Sequence, residues 1–187
     1  MIILGIDPGS RKTGYAVIES DNNRSTVMDF GTILLTDTKS MPDKLVRIFE
    51  KVGQLFGQFR IGSVAVDAGF YGKNAQSAYK LGYARSAAVL AAALKKVEVV
   101  EYSPRKVKQS VTGNGNASKV QVKYMVKQLL AGGEDLVLRE DEADACAVAI
   151  CHAQNCGADK TKYRTWKEFV DKNGHLVVKR SSLRRVK

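Results

Sequence analysis

Apolar residues follow a strand pattern over the first thirty-five positions and a largely helical one afterwards. Residues 2–6 make a short continuous apolar strand, "TGYAVIES" (13–20) a second and "STVMDFGTILL" (25–35) a third, with "DNN" (21–23) as a turn signal. The short loops between them predict an antiparallel meander. The period then changes: Leu45, Ile48, Phe49, Val52, Leu55, Phe56 and Phe59 recur at helical spacing across 42–59. "IGSVAVD" (61–67) is another apolar strand, 74–96 a long Ala-rich helix, and "VEVVEY" (97–102) a fifth strand. Ser103-Pro104 starts a helix, with Ser as N-cap and Pro in the first turn. "GNGN" (113–116) is a turn from which Asn116 caps a helix to about 131, and a last helix covers about 140–154. Three antiparallel strands followed by strand–helix units predict an α/β fold: a mixed five-stranded sheet flanked by helices on both faces.

Two of these apolar strands finish on a carboxylate. Asp7 ends the first, before Pro8-Gly9, and Asp67 ends the fourth, before "AGF". A charge at the tip of a core strand is costly unless something cationic meets it. In open α/β sheets, sites commonly form outside strand ends. In "EDEADACAVAICHA", Asp141 and Asp144 stand three apart and share a helix face, beside an apolar stripe of Ala143, Cys146, Ala147 and Ile150. Such a helix can bury one side and aim both acids at the sheet edge. Each acid alone reads equally as a helix cap or a surface group. Four together supply hard oxygen ligands suited to Mg²⁺ or Mn²⁺. A pair of such ions, about 4 Å apart, promotes phosphodiester hydrolysis.

Charge sharpens the picture. The chain of 187 residues carries a net +11, and residues 157–187, with ten Lys/Arg and three acids, hold +7 of it. This tail fits a polyanion partner, nucleic acid first, and fits equally a solvated segment that aids solubility. The length suits one domain, expected over 1–156, with the basic tail at 157–187 and a short amphipathic docking helix around Trp166, Phe169 and Val170. No apolar run approaches the roughly 20 residues of a membrane helix. No signal peptide is read, and three cysteines argue against a disulfide framework, so the cytoplasm is the expected compartment. Cys146, Cys151, His152 and Cys156 match no common zinc spacing, and His152 is expected on the surface or facing a substrate.

Four motifs now stand in order: "GIDPGSRKTGY", "FYGKNAQSAYKLGYAR", "SPRKVKQSVTGNGNASKVQV" and "DEADACAVAICHA". Together, over about residues 1–154, they resemble the RuvC family of Holliday junction resolvases. The resemblance implies an RNase H-like fold, a homodimer, and Mg²⁺-dependent symmetrical nicking of four-way DNA junctions, with RuvA–RuvB as partner machinery. It places the family's acidic tetrad on Asp7, Asp67, Asp141 and Asp144, its phosphate-facing lysines on Lys108 and Lys119, and its crossover aromatic on Phe70. The second acid is normally Glu in the family. Asp67 is shorter by about one methylene, roughly 1.5 Å. That implies a backbone moved inward, a slow enzyme, or a preference for the larger Mn²⁺.

The remaining DNA-facing candidates follow from position. Lys119 opens a helix after a Gly-rich loop, where N–H groups and an ammonium can hold a phosphate. Arg11 and Lys12 follow Asp7 and can meet backbone phosphates. Phe70 and Tyr71 follow Asp67 and can stack on unpaired bases or simply pack locally, and Lys73 completes a basic edge. Ala75, Ala78 and Gly82 form a small-residue seam on the long helix, for a second copy of the chain or for the protein's own sheet.

Overall fold

The computed structural model describes residues 1–21, 24–37, 40–69 and 75–156. Phe70, Tyr71 and Lys73, and the tail 157–187, lie outside the described residues, as do the expectations attached to them. The strands are β1 (Ile2–Asp7), β2 (Lys12–Asp21), β3 (Arg24–Leu34), β4 (Ser63–Asp67) and β5 (Glu98–Tyr102). The helices are α1 (Met41–Gln58), α2 (Ala75–Leu94), α3 (Pro104–Thr112), α4 (Lys119–Leu129) and α5 (Glu140–Cys156), with one 3₁₀ turn at Gly133–Asp135. Among the described residues no helix is long and apolar enough to cross a membrane.

The five strands form one sheet in the order β3-β2-β1-β4-β5. β1, β2 and β3 pair antiparallel, as short loops require, whereas β4 joins β1 and β5 joins β4 in parallel, each after a helical crossover. Strand alternation then sorts side chains between two layers. Leu4, Ile6, Val64 and Val66 point to one face and pack with Ile48, Val52 and Leu55 of α1 and the alanines of α2. Ile3, Ala16, Ile18 and Ala65 point to the other and pack with α3, α4 and α5. Asp7 shares its parity with Ile3, and Asp67 with Ala65, so both acids face the α3–α4–α5 layer.

Register makes this alignment sharper. Ile6 pairs with Val66 in the parallel β1–β4 ladder, so Asp7 and Asp67 come next, side by side on neighbouring strands about 4.8 Å apart. Asp7 also pairs with Gly14, Gly14 with Thr32, and Asp67 with Tyr102. One row, Thr32–Gly14–Asp7–Asp67–Tyr102, therefore crosses the whole sheet.

α5 lies directly on this sheet. A Cβ at Gly5 would overlap the Ala145 carbonyl oxygen, and one at Gly14 the Asp141 carbonyl oxygen. These two glycines let helix backbone touch strand backbone. The sequence suggests a helix with one buried side, but α5 is buried on nearly every side from Glu142 to His152. Alanines and other short side chains allow that close approach on more than one face.

His152 departs from expectation in the same way. It is fully buried, with Nδ1 2.9 Å from the Tyr102 hydroxyl and Nε2 2.9 Å from the Ser63 hydroxyl. Burial lowers its pKa from 6.5, against the opposing charge of Glu98. A base kept neutral in the native state but free to protonate when unfolded favours unfolding in acid. Stability should therefore be level above pH 6.5 and fall as pH drops toward the lower native pKa. Denaturant unfolding at about pH 7.5 and about pH 5.5 checks this: the fall should shrink in His152→Gln, and an equal fall in both proteins would contradict the assignment.

A candidate phosphodiesterase centre

Asp7 and Asp67 look into a cleft of about 280 Å³ that Asp144 of α5, Lys119 of α4 and Lys108 of α3 also line. Three elements from the last third of the described chain thus meet two strand tips. Lys119 Nζ lies 3.1 Å from Asp144 Oδ2 and 3.8 Å from Glu140 Oε2. Glu140 and Asp144 are one turn apart on the same face of α5, so both reach that ammonium. Sequence reading does not single out Glu140; its signal is the four-residue spacing to Asp144.

The start of α4 fixes where Lys119 stands. Ser118 is the N-cap, accepting from the Gln121 N–H while the Gln121 side chain accepts from the Ser118 N–H. The expected cap, Asn116, is displaced from that role. Its N–H donates to Asn114 Oδ1 within the loop, and the following Ala117 is buried in the core.

Asp141 is placed differently from its three partners. Its backbone sits against Gly14, and its side chain does not line the cleft. It still acts on the centre electrostatically. Burial pushes the Asp7 carboxyl up to about 8, with Asp144, Asp67 and Asp141 adding repulsion and Lys119 opposing it. Burial also raises Asp67, whose Oδ1 accepts the Gly69 N–H at 3.1 Å. Asp144 holds the Lys119 pKa above its ordinary value, so that ammonium stays charged.

Among the described residues, no three His, Cys, Asp or Glu side chains form a ready cage for a metal ion. The donors nevertheless fit a hard divalent cation. They are all carboxylate oxygens, and the most buried of them is repelled by three like charges with only one lysine in compensation. Burial, with Glu142 adding repulsion, pushes the Cys146 thiol up to about 12, which keeps it protonated.

Arg11 and Lys12 are exposed on the turn into β2, outside the cleft. Thr13, fully buried, ties that turn to Gly9 through its hydroxyl, so the two cations stand at the rim of the same sheet edge.

The mixed sheet, its helical layers and its acid-tipped parallel strands define an RNase H-like resolvase fold. A structure of T. thermophilus RuvC in complex with a Holliday junction substrate superposes with a TM-score of 0.78 at 30% identity, covering 83% of this chain and 94% of that one. The yeast mitochondrial Holliday junction resolvase Ydc2 shares the fold at a TM-score of 0.59 and 13% identity, covering 81% of this chain and 78% of its own. The family model for crossover junction endodeoxyribonuclease RuvC matches residues 3–152, and the chain belongs to that family. The crossover junction endodeoxyribonuclease RuvC of Citrifermentans bemidjiense is 50% identical over 157 residues, covering 84% of this chain and 94% of that protein. The one from Salinibacter ruber is 41% identical over 178 residues, covering 95% and 99%.

Proposed function

We propose that this protein is a structure-specific endonuclease that resolves four-way DNA junctions by paired symmetrical nicks, in recombination and repair. The observation that carries the reading is the convergence of Asp7 and Asp67, from adjacent parallel strands, on Asp144 and Lys119 within a chain of the RuvC family. Asp7, Asp67, Asp141 and Asp144 are the residues to hold two Mg²⁺ ions, with Mn²⁺ as a substitute. When bound, such ions supply Lewis acidity at the scissile phosphate and lower the pKa of water. Lys119 trades its contact with Asp144 for the scissile phosphate and offsets charge developing there. Lys108, which lines the same cleft, holds a neighbouring phosphate. Attack by water on phosphorus breaks the bond to the 3′ oxygen, leaving a 5′-phosphate and a 3′-hydroxyl. Phe70, Tyr71, Lys73, Arg11 and Lys12 are proposed as DNA contacts around this centre. The 157–187 tail adds salt-sensitive affinity. Action in the cytoplasm, alongside RuvA–RuvB, is part of the same reading and rests on the family resemblance.

A two-fold substrate calls for two sites, and α2 offers the surface for a homodimer. Tyr79, Tyr83, Leu90 and Leu94 fall on one stripe of its outer face, each more than half exposed. Gly82 lies beside that stripe, and a Cβ there would meet nothing within 4 Å. The open seam is thus aromatic and leucine-rich around Gly82, rather than simply small.

A synthetic four-way junction incubated with the protein and Mg²⁺ should be nicked symmetrically, with sedimentation showing two copies of the chain per particle. Random degradation of linear duplex would overturn the specificity. Asp67→Glu in the same assay separates a sound nuclease from a junction-binding protein that cleaves poorly. Extending the carboxylate by about 1.5 Å should raise Mg²⁺-supported cleavage about tenfold at equal junction affinity, if reach at this position is limiting. No gain in Mg²⁺ or Mn²⁺ would show that it is not.

A further inference from the structure

Glu142 stands between the two acids of α5 and is itself 6% exposed, yet it does not line the cleft. Its Oε2 accepts the Arg139 N–H at 2.7 Å, closing the first turn of the helix, and its Oε1 accepts the Thr32 hydroxyl at 3.1 Å. The second bond leaves the helix and reaches the sheet. Thr32 occupies the register row that contains Gly14 and Asp7, two strands from Asp7 and so about 9.6 Å away. The first turn of α5 is therefore laid along this row: the Asp141 carbonyl over Gly14, the Glu142 carboxylate onto Thr32.

We propose that Glu142 and Thr32 form a clamp that sets the height and rotation of the first turn of α5 over β1, and thereby where Asp141 and Asp144 stand relative to Asp7. Both are positioning residues; neither lines the cleft. The proposal rests on the nuclease reading of the cleft. The physical reason is leverage. The two glycines fix how near the helix comes to the sheet but offer no side chain to hold its first turn at one place along the row, and a displacement of about 1 Å at reacting groups costs on the order of a hundredfold in rate. A directional bond to a fixed strand position removes that freedom. The carboxylate also occupies the positive end of α5, which favours it electrostatically.

Thr32→Val removes the cross-sheet bond and leaves the Arg139 cap in place. In single-turnover junction cleavage, the rate at saturating protein should fall about tenfold while junction affinity in EDTA is unchanged, and Thr32→Ser should restore it. Glu142→Gln, which can still bond both partners after an amide turn, should lose less than Glu142→Ala. Amide exchange supplies a readout independent of cleavage. In Thr32→Val, the peptide covering 139–145 should exchange several-fold faster, with 148–155 unchanged. Wild-type cleavage together with wild-type exchange in Thr32→Val would overturn the clamp. So would a loss that appears only in melting temperature, with the cleavage rate intact. If the wild-type protein fails to nick junctions, the nuclease reading falls, and exchange at 139–145 decides the clamp alone.

Discussion

Asp7→Asn is expected to lower junction cleavage by about a thousandfold or more while leaving junction binding nearly intact, because the group removed works as a unit with its neighbours. Asp7 is the hub of the cleft: it lies beside Asp67 in the sheet and feels the charges of Asp144, Asp141 and Lys119. The fold holds this acid under electrostatic strain, since burial and three like charges all disfavour the carboxylate. Asn keeps the shape and removes the charge. Without divalent cation the variant should therefore melt at or above the wild-type temperature. Mg²⁺ should raise the melting temperature of the wild type and have little effect on the variant, because a ligand that binds only the native state stabilises it. Cleavage within tenfold of wild type, or equal stabilisation of both proteins by Mg²⁺, would remove Asp7 from the centre.

Lys119→Met should cost about a hundred- to a thousandfold in cleavage rate, the scale of losing one preorganised charge at a developing oxyanion. Methionine retains much of the apolar stem and deletes the ammonium. The loss should appear in the rate at saturating protein more than in junction affinity, since a single phosphate contact is a small part of a large basic footprint. The variant also frees Asp144 from its 3.1 Å partner, so metal affinity should hold or improve even as the rate collapses. A variant that cleaves within about fivefold of wild type would show that Lys119 serves only to pair with Asp144 and Glu140.

These two residues show how unevenly the site was written into the chain. Asp7 is legible because a strand that ends on a buried-looking acid breaks the hydrophobic pattern, and Asp67 repeats the signal. Lys119 is legible as the first residue of a helix after a turn. Asn116 and Ser118 are both good caps by residue type; Ser118 takes the role through its reciprocal bonds with Gln121, with the intervening Ala117 buried. Glu140 and the Glu142–Thr32 bond were not legible. The first is one acid in an acidic run, and the second joins residues 110 positions apart. His152 was misplaced because a polar residue near a helix end reads as exposed until two hydroxyls from β4 and β5 are seen to receive it.

Local rules acting on the sequence alone determined the five strands, the five main helices, the α/β class and the acids at two strand tips. Alternation, periodicity and capping are all settled within about a dozen neighbouring residues. Tertiary structure alone decided the pairing of β1 with β4, which brings residue 7 beside residue 67, and the contact of α5 with Gly5 and Gly14, which brings Asp144 over them. Those arrangements depend on register and backbone approach between distant segments. A shift of one residue in the β1–β4 register would turn Asp67 to the opposite face, and a shift of one residue along α5 would rotate its acids by about 100°.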